Sequence, residues 1–131
     1  MLIRSLLLVG VLVLTASAED DKKDKPLTPV EARKKIGEKI TVEMEVRAAK
    51  NALAKRGEIY LDSEENFRDE KNFAVVVTKT GAESLKAAGI DDPADHFKGK
   101  TIRAKGKVSE QDGVPRIEID DAKQIEIPEK K

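Results

Sequence analysis

From Ile40 the chain alternates. Ile40, Val42, Met44 and Val46 share one side; Thr41, Glu43, Glu45 and Arg47 share the other. Successive side chains of a strand point to opposite faces, so this period of two predicts a half-buried strand over Ile40–Val46. The same reading gives four more strands. Glu58–Asp62 turns Ile59 and Leu61 inward and Tyr60 outward. Phe73–Thr78 is apolar almost throughout, which predicts the centre of a sheet. Thr101–Val108 places Ile102, Ala104, Gly106 and Val108 inward and Arg103, Lys105 and Lys107 outward. Gln111-Asp112-Gly113 then turns the chain into Val114–Asp120, with Ile117 and Ile119 inward. Ile125 and Ile127 extend the sheet or close its end.

Capping chemistry predicts the helices. Thr28 is an N-cap, Pro29 fits the first helical position, Glu31 completes a capping box, and Gly37 supplies a stop. Thr80 and Glu83 frame a second helix with Ala82, Leu85 and Ala88 as its apolar stripe and Gly89 at its end. Asp92-Pro93-Ala94-Asp95 opens one more turn, through Phe97. Between these elements, Ala48–Arg56 reads as a loop. Ser63–Asn72 reads as a connection with Phe67 tucked beneath it.

The expected fold is therefore mainly β with short helices. One helix precedes strand one, and another lies between strands three and four. That is the plan of the five-stranded OB-fold, a small Greek-key barrel. Gly106 suits a strand that bends at a barrel corner.

The N-terminus changes where this fold is expected to work. Met1-Leu2-Ile3-Arg4 carries a positive charge, Ser5–Thr15 is nearly all apolar, and Ala16-Ser17-Ala18 fits a small-x-small cleavage site. Residues 1–18 read as a secretory signal peptide, too short to span a membrane. The expected product is exported, to the periplasm or the extracellular space, with no membrane span after cleavage. Residues 19–26 read as a disordered charged tether, 27–128 as one domain and 129–131 as a frayed tail. A monomer is expected.

Composition narrows the chemistry. The chain has 25 Lys+Arg and 25 Asp+Glu, and the leader carries one of the basic residues. Without the leader the formal charge is −1, so attraction to nucleic acid must come from a local patch. Without cysteine there are no disulfides, thiolate metal sites or thiol nucleophile. There is one histidine, no Gly-x-Ser-x-Gly elbow, no P-loop and no dinucleotide fingerprint. No enzyme activity, cofactor or metal is expected. Asp91–His96 reads as a helix cap. Asp62-Ser63-Glu64-Glu65 with Asp69-Glu70 lacks the spacing of a calcium loop.

One run carries a resemblance. Phe97-Lys98-Gly99-Lys100-Thr101-Ile102-Arg103-Ala104-Lys105-Gly106-Lys107-Val108 leads into Gly113-Val114-Pro115-Arg116-Ile117-Glu118-Ile119. It resembles the fourth and fifth strands of OB-fold domains of the tRNA-anticodon/helicase type. More narrowly, it is similar to small exported bacterial OB-fold proteins described as nucleic-acid-binding-like. The resemblance implies a ligand across the face of strands two and three, flanked by the loops joining strands one–two and four–five. Tyr60 would stack a base, and Arg47, Lys50, Lys55, Arg56, Arg103, Lys105 and Arg116 would meet phosphates. Glu43, Glu45, Glu58, Asp62 and Glu118 share those outward faces and can neutralise them. Two functions stand open. One is a non-catalytic exported module that binds single-stranded nucleic acid weakly. The other is a cell-envelope interaction module that binds a protein, an oligosaccharide or a cation.

Overall fold

Thr28 opens the first ordered element as its side chain predicts. Its Oγ1 accepts from Glu31 N at 3.2 Å, and Glu31 Oε1 accepts from Thr28 N at 3.0 Å. The structure, a computed structural model, describes residues 25–128. The expected signal peptide, residues 19–24 of the expected tether and the expected frayed tail lie outside the described residues. The helix that Thr28 caps, α1 (Pro29–Ala32), is a single turn. It ends well before Gly37, which sits with φ 92° in the turn that leads to the sheet.

The sheet is built from β1 (Lys39–Glu45), β2 (Ala48–Ala52), β3 (Glu58–Asp62), β4 (Ala74–Thr78), β5 (Thr101–Gln111), β6 (Val114–Ile119) and a short β7 (Ile125–Glu126). The helices between them are α2 (Leu53–Arg56), α3 (Lys79–Ala87) and α4 (Pro93–Phe97). Strands run along the pairing path β1-β5-β6-β4-β3-β2, and β7 pairs with β5 off this path. All pairs are antiparallel except β4 with β6. The fold is mainly β with few short helices. The expected ladder of five strands closed on itself is not what pairs here: the path has more strands, and β1 and β2 at its two ends do not pair with each other.

Three local expectations are corrected. Ala48–Arg56 is not a loop but β2 followed by α2. Ala48–Ala52 pairs along its whole length with β3, from Ala48 opposite Asp62 to Ala52 opposite Glu58. Gly57 then ends α2 with φ 73°. The second helix begins earlier than Thr80: Thr78 is its N-cap, and its Oγ1 accepts from Gly81 N at 3.1 Å. Phe67 is not tucked beneath its connection; it is 54% exposed.

The inward rows meet in one core. Phe73, Phe97, Ile59, Leu61 and Leu85 are its largest buried side chains. Ile102, Ala104, Gly106 and Val108 are all buried along β5, as the alternation predicts. The β5–β6 hairpin turns through Asp112 and Gly113, both at positive φ (54° and 82°), the sign that suits the right-handed twist of paired strands. No helix among the described residues is long and apolar enough to cross a membrane.

Two glycines are set by close approach rather than by turns. A Cβ at Gly81 of α3 would collide with the carbonyl oxygen of Ile119, which is backbone and cannot step aside. At Gly106 it would come within 2.8 Å of Ile117 Cγ2, a side-chain atom that can shift. An isolated helix would gain about 1 kcal/mol from glycine to alanine. Here Gly81→Ala is expected to lose about 3 kcal/mol or more, and Gly106→Ala about 1–2 kcal/mol. Urea unfolding of the two variants measures both. A neutral Gly81→Ala would contradict the close packing of α3 on β6.

Candidate ligand-binding cleft

The outward faces of β2, β3, β4 and β6 carry two cross-strand rows. Ala48, Asp62, Ala74 and Arg116 lie in register in the first; Lys50, Tyr60, Val76 and Glu118 form the second. Above them lies a cleft of about 330 Å³. Val76 and Ala74 form its floor with Ala48, and Val114 and Asp112 of the β5–β6 hairpin close one side. Glu65 and Phe67 of the Ser63–Asn72 connection close another.

Arg116 determines much of this shape. It is only 5% exposed although it points outward. From β6 it reaches past β4 to Glu58 on β3, with Nη2 2.6 Å from Glu58 Oε2. Nη1 donates to Gln111 Oε1 at 2.8 Å, and Nη2 also lies 3.4 Å from Glu118 Oε2. Its Nε is buried without a hydrogen-bond partner. Val76, on the strand between Arg116 and Glu58, is 1% exposed although it faces outward. The second oxygen of Glu58 accepts from Tyr60 OH at 2.8 Å. Burial, then the Glu58 hydrogen bond, holds the Tyr60 hydroxyl above its ordinary pKa, against the opposing pull of Arg56. Tyr60 therefore sits as a neutral, positioned ring at one end of the cleft.

Asp62 lies in the floor at the other end and is 8% exposed. Its Oδ1 accepts from Asn72 Nδ2 at 3.0 Å. Asn72 is fully buried and organises the whole connection. It donates to Phe67 O, accepts from Glu64 N and Ser63 Oγ, and its own carbonyl accepts from Arg33. Ser63 Oγ in turn accepts from Phe73 N at 2.9 Å. This network fixes a stretch with no regular structure and sets Phe67 at the cleft rim. Burial pushes the Asp62 carboxyl above its ordinary pKa, and the Asn72 hydrogen bond only partly offsets that.

The residues singled out from the sequence divide between places. Tyr60, Lys50, Arg56 and Arg116 come together around the cleft. Arg47 does not. It lies between β1 and β2 over a separate depression, 3.9 Å from Glu45 Oε1 and 3.6 Å from Glu64 Oε1. Arg103 is on the β1–β5 face, bound to Glu43 Oε1 at 2.7 Å. Lys105 is exposed on that same face, opposite Thr41, and Lys55 is exposed on α2. Asp62 and Phe67 are among the cleft residues that sequence reasoning does not single out as ligand contacts, and Asn72 holds both of them from outside the lining. Along the acidic Asp62–Glu70 stretch, as elsewhere among the described residues, no group of three or more metal-binding side chains is assembled. Asp92 serves as the cap of α4, accepting from Asp95 N at 3.4 Å.

The cleft is electrically balanced rather than basic. Lys50, Arg56 and Arg116 line it, and so do Asp62, Glu65 and Asp112. The ion pairs of Arg116 further reduce its attraction for an outside anion.

The raised pKa of Asp62 has a signed consequence for stability. The folded protein holds the Asp62 proton over a window above the unfolded value, where the unfolded chain has released it. The favourable protonated state is thus fully present below the unfolded pKa and is lost as pH rises towards the folded pKa. Asp62→Asn keeps an acceptor for Asn72 and removes the titration. It is expected to be more stable than the parent at neutral pH, with the gap closing as pH falls through the window. Denaturant unfolding at a series of pH values checks this; a gap that is constant or widens towards acid would contradict it.

No family model matches the chain, and no curated protein matches it.

Proposed function

We propose that this chain is a non-catalytic, exported OB-type binding module that holds an extended protein segment in the cleft over Val76. Its fold supports this reading through chain order. β1 and β2 are separated only by Val46 and Arg47, so they act as two halves of one long bent strand. The chain itself then joins the two ends of the pairing path, as in a five-stranded barrel. The single parallel pair, β4 with β6, and the placement of α3 between β4 and β5 agree with that plan. In such a barrel the cleft lies on the outer face of the second and third strands, where the family binds its ligands.

The observation that carries the choice of ligand is the charge pairing in and around the cleft. A strand of nucleic acid needs a continuous cationic track beside its stacking rings. Arg116, Arg103 and Arg47 are each within 4 Å of carboxylates. An apolar floor between an aromatic ring and balanced charges instead suits a polypeptide, with side chains entering from above. The second reading, single-stranded nucleic acid, is favoured by one specific feature: Tyr60 lies beside the exposed Lys50 and Arg56.

Amide spectra of the labelled protein separate the two. A mixture of random-sequence hexapeptides is expected to shift the resonances of Tyr60, Val76 and Phe67, with little change as salt is raised. Tyr60→Ala is expected to weaken the response by about 1 kcal/mol, roughly fivefold. Oligothymidine binding at the same residues, lost on adding salt and lost in Lys50→Glu, would transfer the site to nucleic acid.

A further inference from the structure

We infer that the cleft selects a basic side chain: the ammonium of a lysine or the guanidinium of an arginine, carried on an extended segment of a protein partner, seats against Asp62. The inference rests on the reading of the cleft as a peptide site and names the residue type that the site takes.

Asp62 differs from the other buried charge on this face. Arg116 has Glu58 and Glu118. Asp62 is equally buried, yet takes part in none of the ion pairs among the described residues. Only its Oδ1 has a hydrogen-bond partner, Asn72; Oδ2 has none among the described residues, and the side chain lines the cleft. A carboxylate largely withdrawn from water without a counter-charge is costly, and an incoming cation at its open oxygen is the group that offsets this cost. The raised pKa of Asp62 reflects the same burial.

The surroundings fit the rest of such a side chain. In register, Asp62 is flanked by Ala48 on β2 and Ala74 on β4, both small, which leaves room above the carboxyl. Val114 and Ala48, both half-buried in the lining, offer apolar surface along which a methylene stem can lie while its charged end is held. Phe67 and Tyr60 stand at the edges as ring faces for a cation. Phe67 already accepts one from this chain: the Arg68 guanidinium lies 5.1 Å from its ring centre. Glu65 adds a second carboxylate at the rim. Lys50 and Arg56 are exposed, so their repulsion is screened by solvent and salt.

The test compares two probes on the full chain: acetyl-Ala-Val-Lys-Val-Ala-amide and the same peptide with its lysine Nε-acetylated. They share backbone and side-chain stem; acetylation removes the charge and adds a small neutral cap. The lysine peptide is expected to bind roughly tenfold more tightly, with shifts at Tyr60 and Val76, and Asp62→Asn should remove the preference. Equal affinities in the unaltered protein would overturn the inference, and that comparison needs no variant to fold. A preference that survives in Asp62→Asn would overturn it as well. If both peptides bind equally and Tyr60→Ala weakens both, selection of a basic residue fails while the peptide site stands. If neither peptide moves any cleft resonance at millimolar concentration, both readings fall.

Discussion

The contact between Arg116 and Glu58 constrains the outward face more than any other. The two residues lie on strands separated by β4, and their atoms meet at 2.6 Å. At a strand spacing of roughly 5 Å, the guanidinium must cross a whole strand to make this contact. The same carboxylate that it reaches accepts from Tyr60 OH through its other oxygen, so the bridge also holds the ring of Tyr60. Buried ion pairs of this kind contribute little net stability over an apolar replacement, but losing one partner strands the other. The pair is better understood as fixing geometry than as a source of stability. It also changes the ligand argument, because it engages the arginine that an outward position on β6 would otherwise offer to phosphate.

How much of this was legible in the sequence depends on what each signal reports. β1, β3, β5 and β6 show in the alternation because each has one face in the core, and a period of two reports that directly. β2 leaves no such trace. Ala48–Ala52 contains three alanines and an asparagine, which are poor strand formers, and its extended state comes from full-length pairing with β3. The start of α3 shows the same dependence. The Thr80–Glu83 spacing in the sequence points to Thr80 as the cap. Thr78 is the one used, and its Oγ1 also donates to Asp120 Oδ1 at 2.6 Å. That partner is forty-two residues away and invisible to any local rule.

The site was legible in part for a related reason. Alternation says which residues face outward, but not where around a curved sheet each outward side chain ends up. Tyr60 and Arg116 come together because β3, β4 and β6 are neighbours. Arg103 and Lys105 face outward equally, but on the β1–β5 side, away from the cleft. Asp62 is the sharper case. Its outward position is consistent with the alternation, yet it is buried, because Ser63–Asn72 folds back beside it. That fold-back depends on Asn72 finding Asp62, Phe67 O, Glu64 N and Ser63 at once. An asparagine in a polar stretch gives no hint of such a role.

These two constructions, the arginine bridge and the asparagine-centred connection, act on opposite edges of one cleft. Each fixes its edge through side-chain hydrogen bonds, the arginine bridge between strands and the asparagine network within an irregular connection. A binding site whose walls are set in this way costs little further ordering when a ligand enters, and affinity depends heavily on that cost. The two edges differ in how their charges are met. On the arginine side the buried charge is matched within the chain. On the asparagine side the carboxyl of Asp62 has a hydrogen bond at one oxygen and no counter-ion among the described residues, so of the two charges, Arg116 and Asp62, it is the one without an opposite charge beside it.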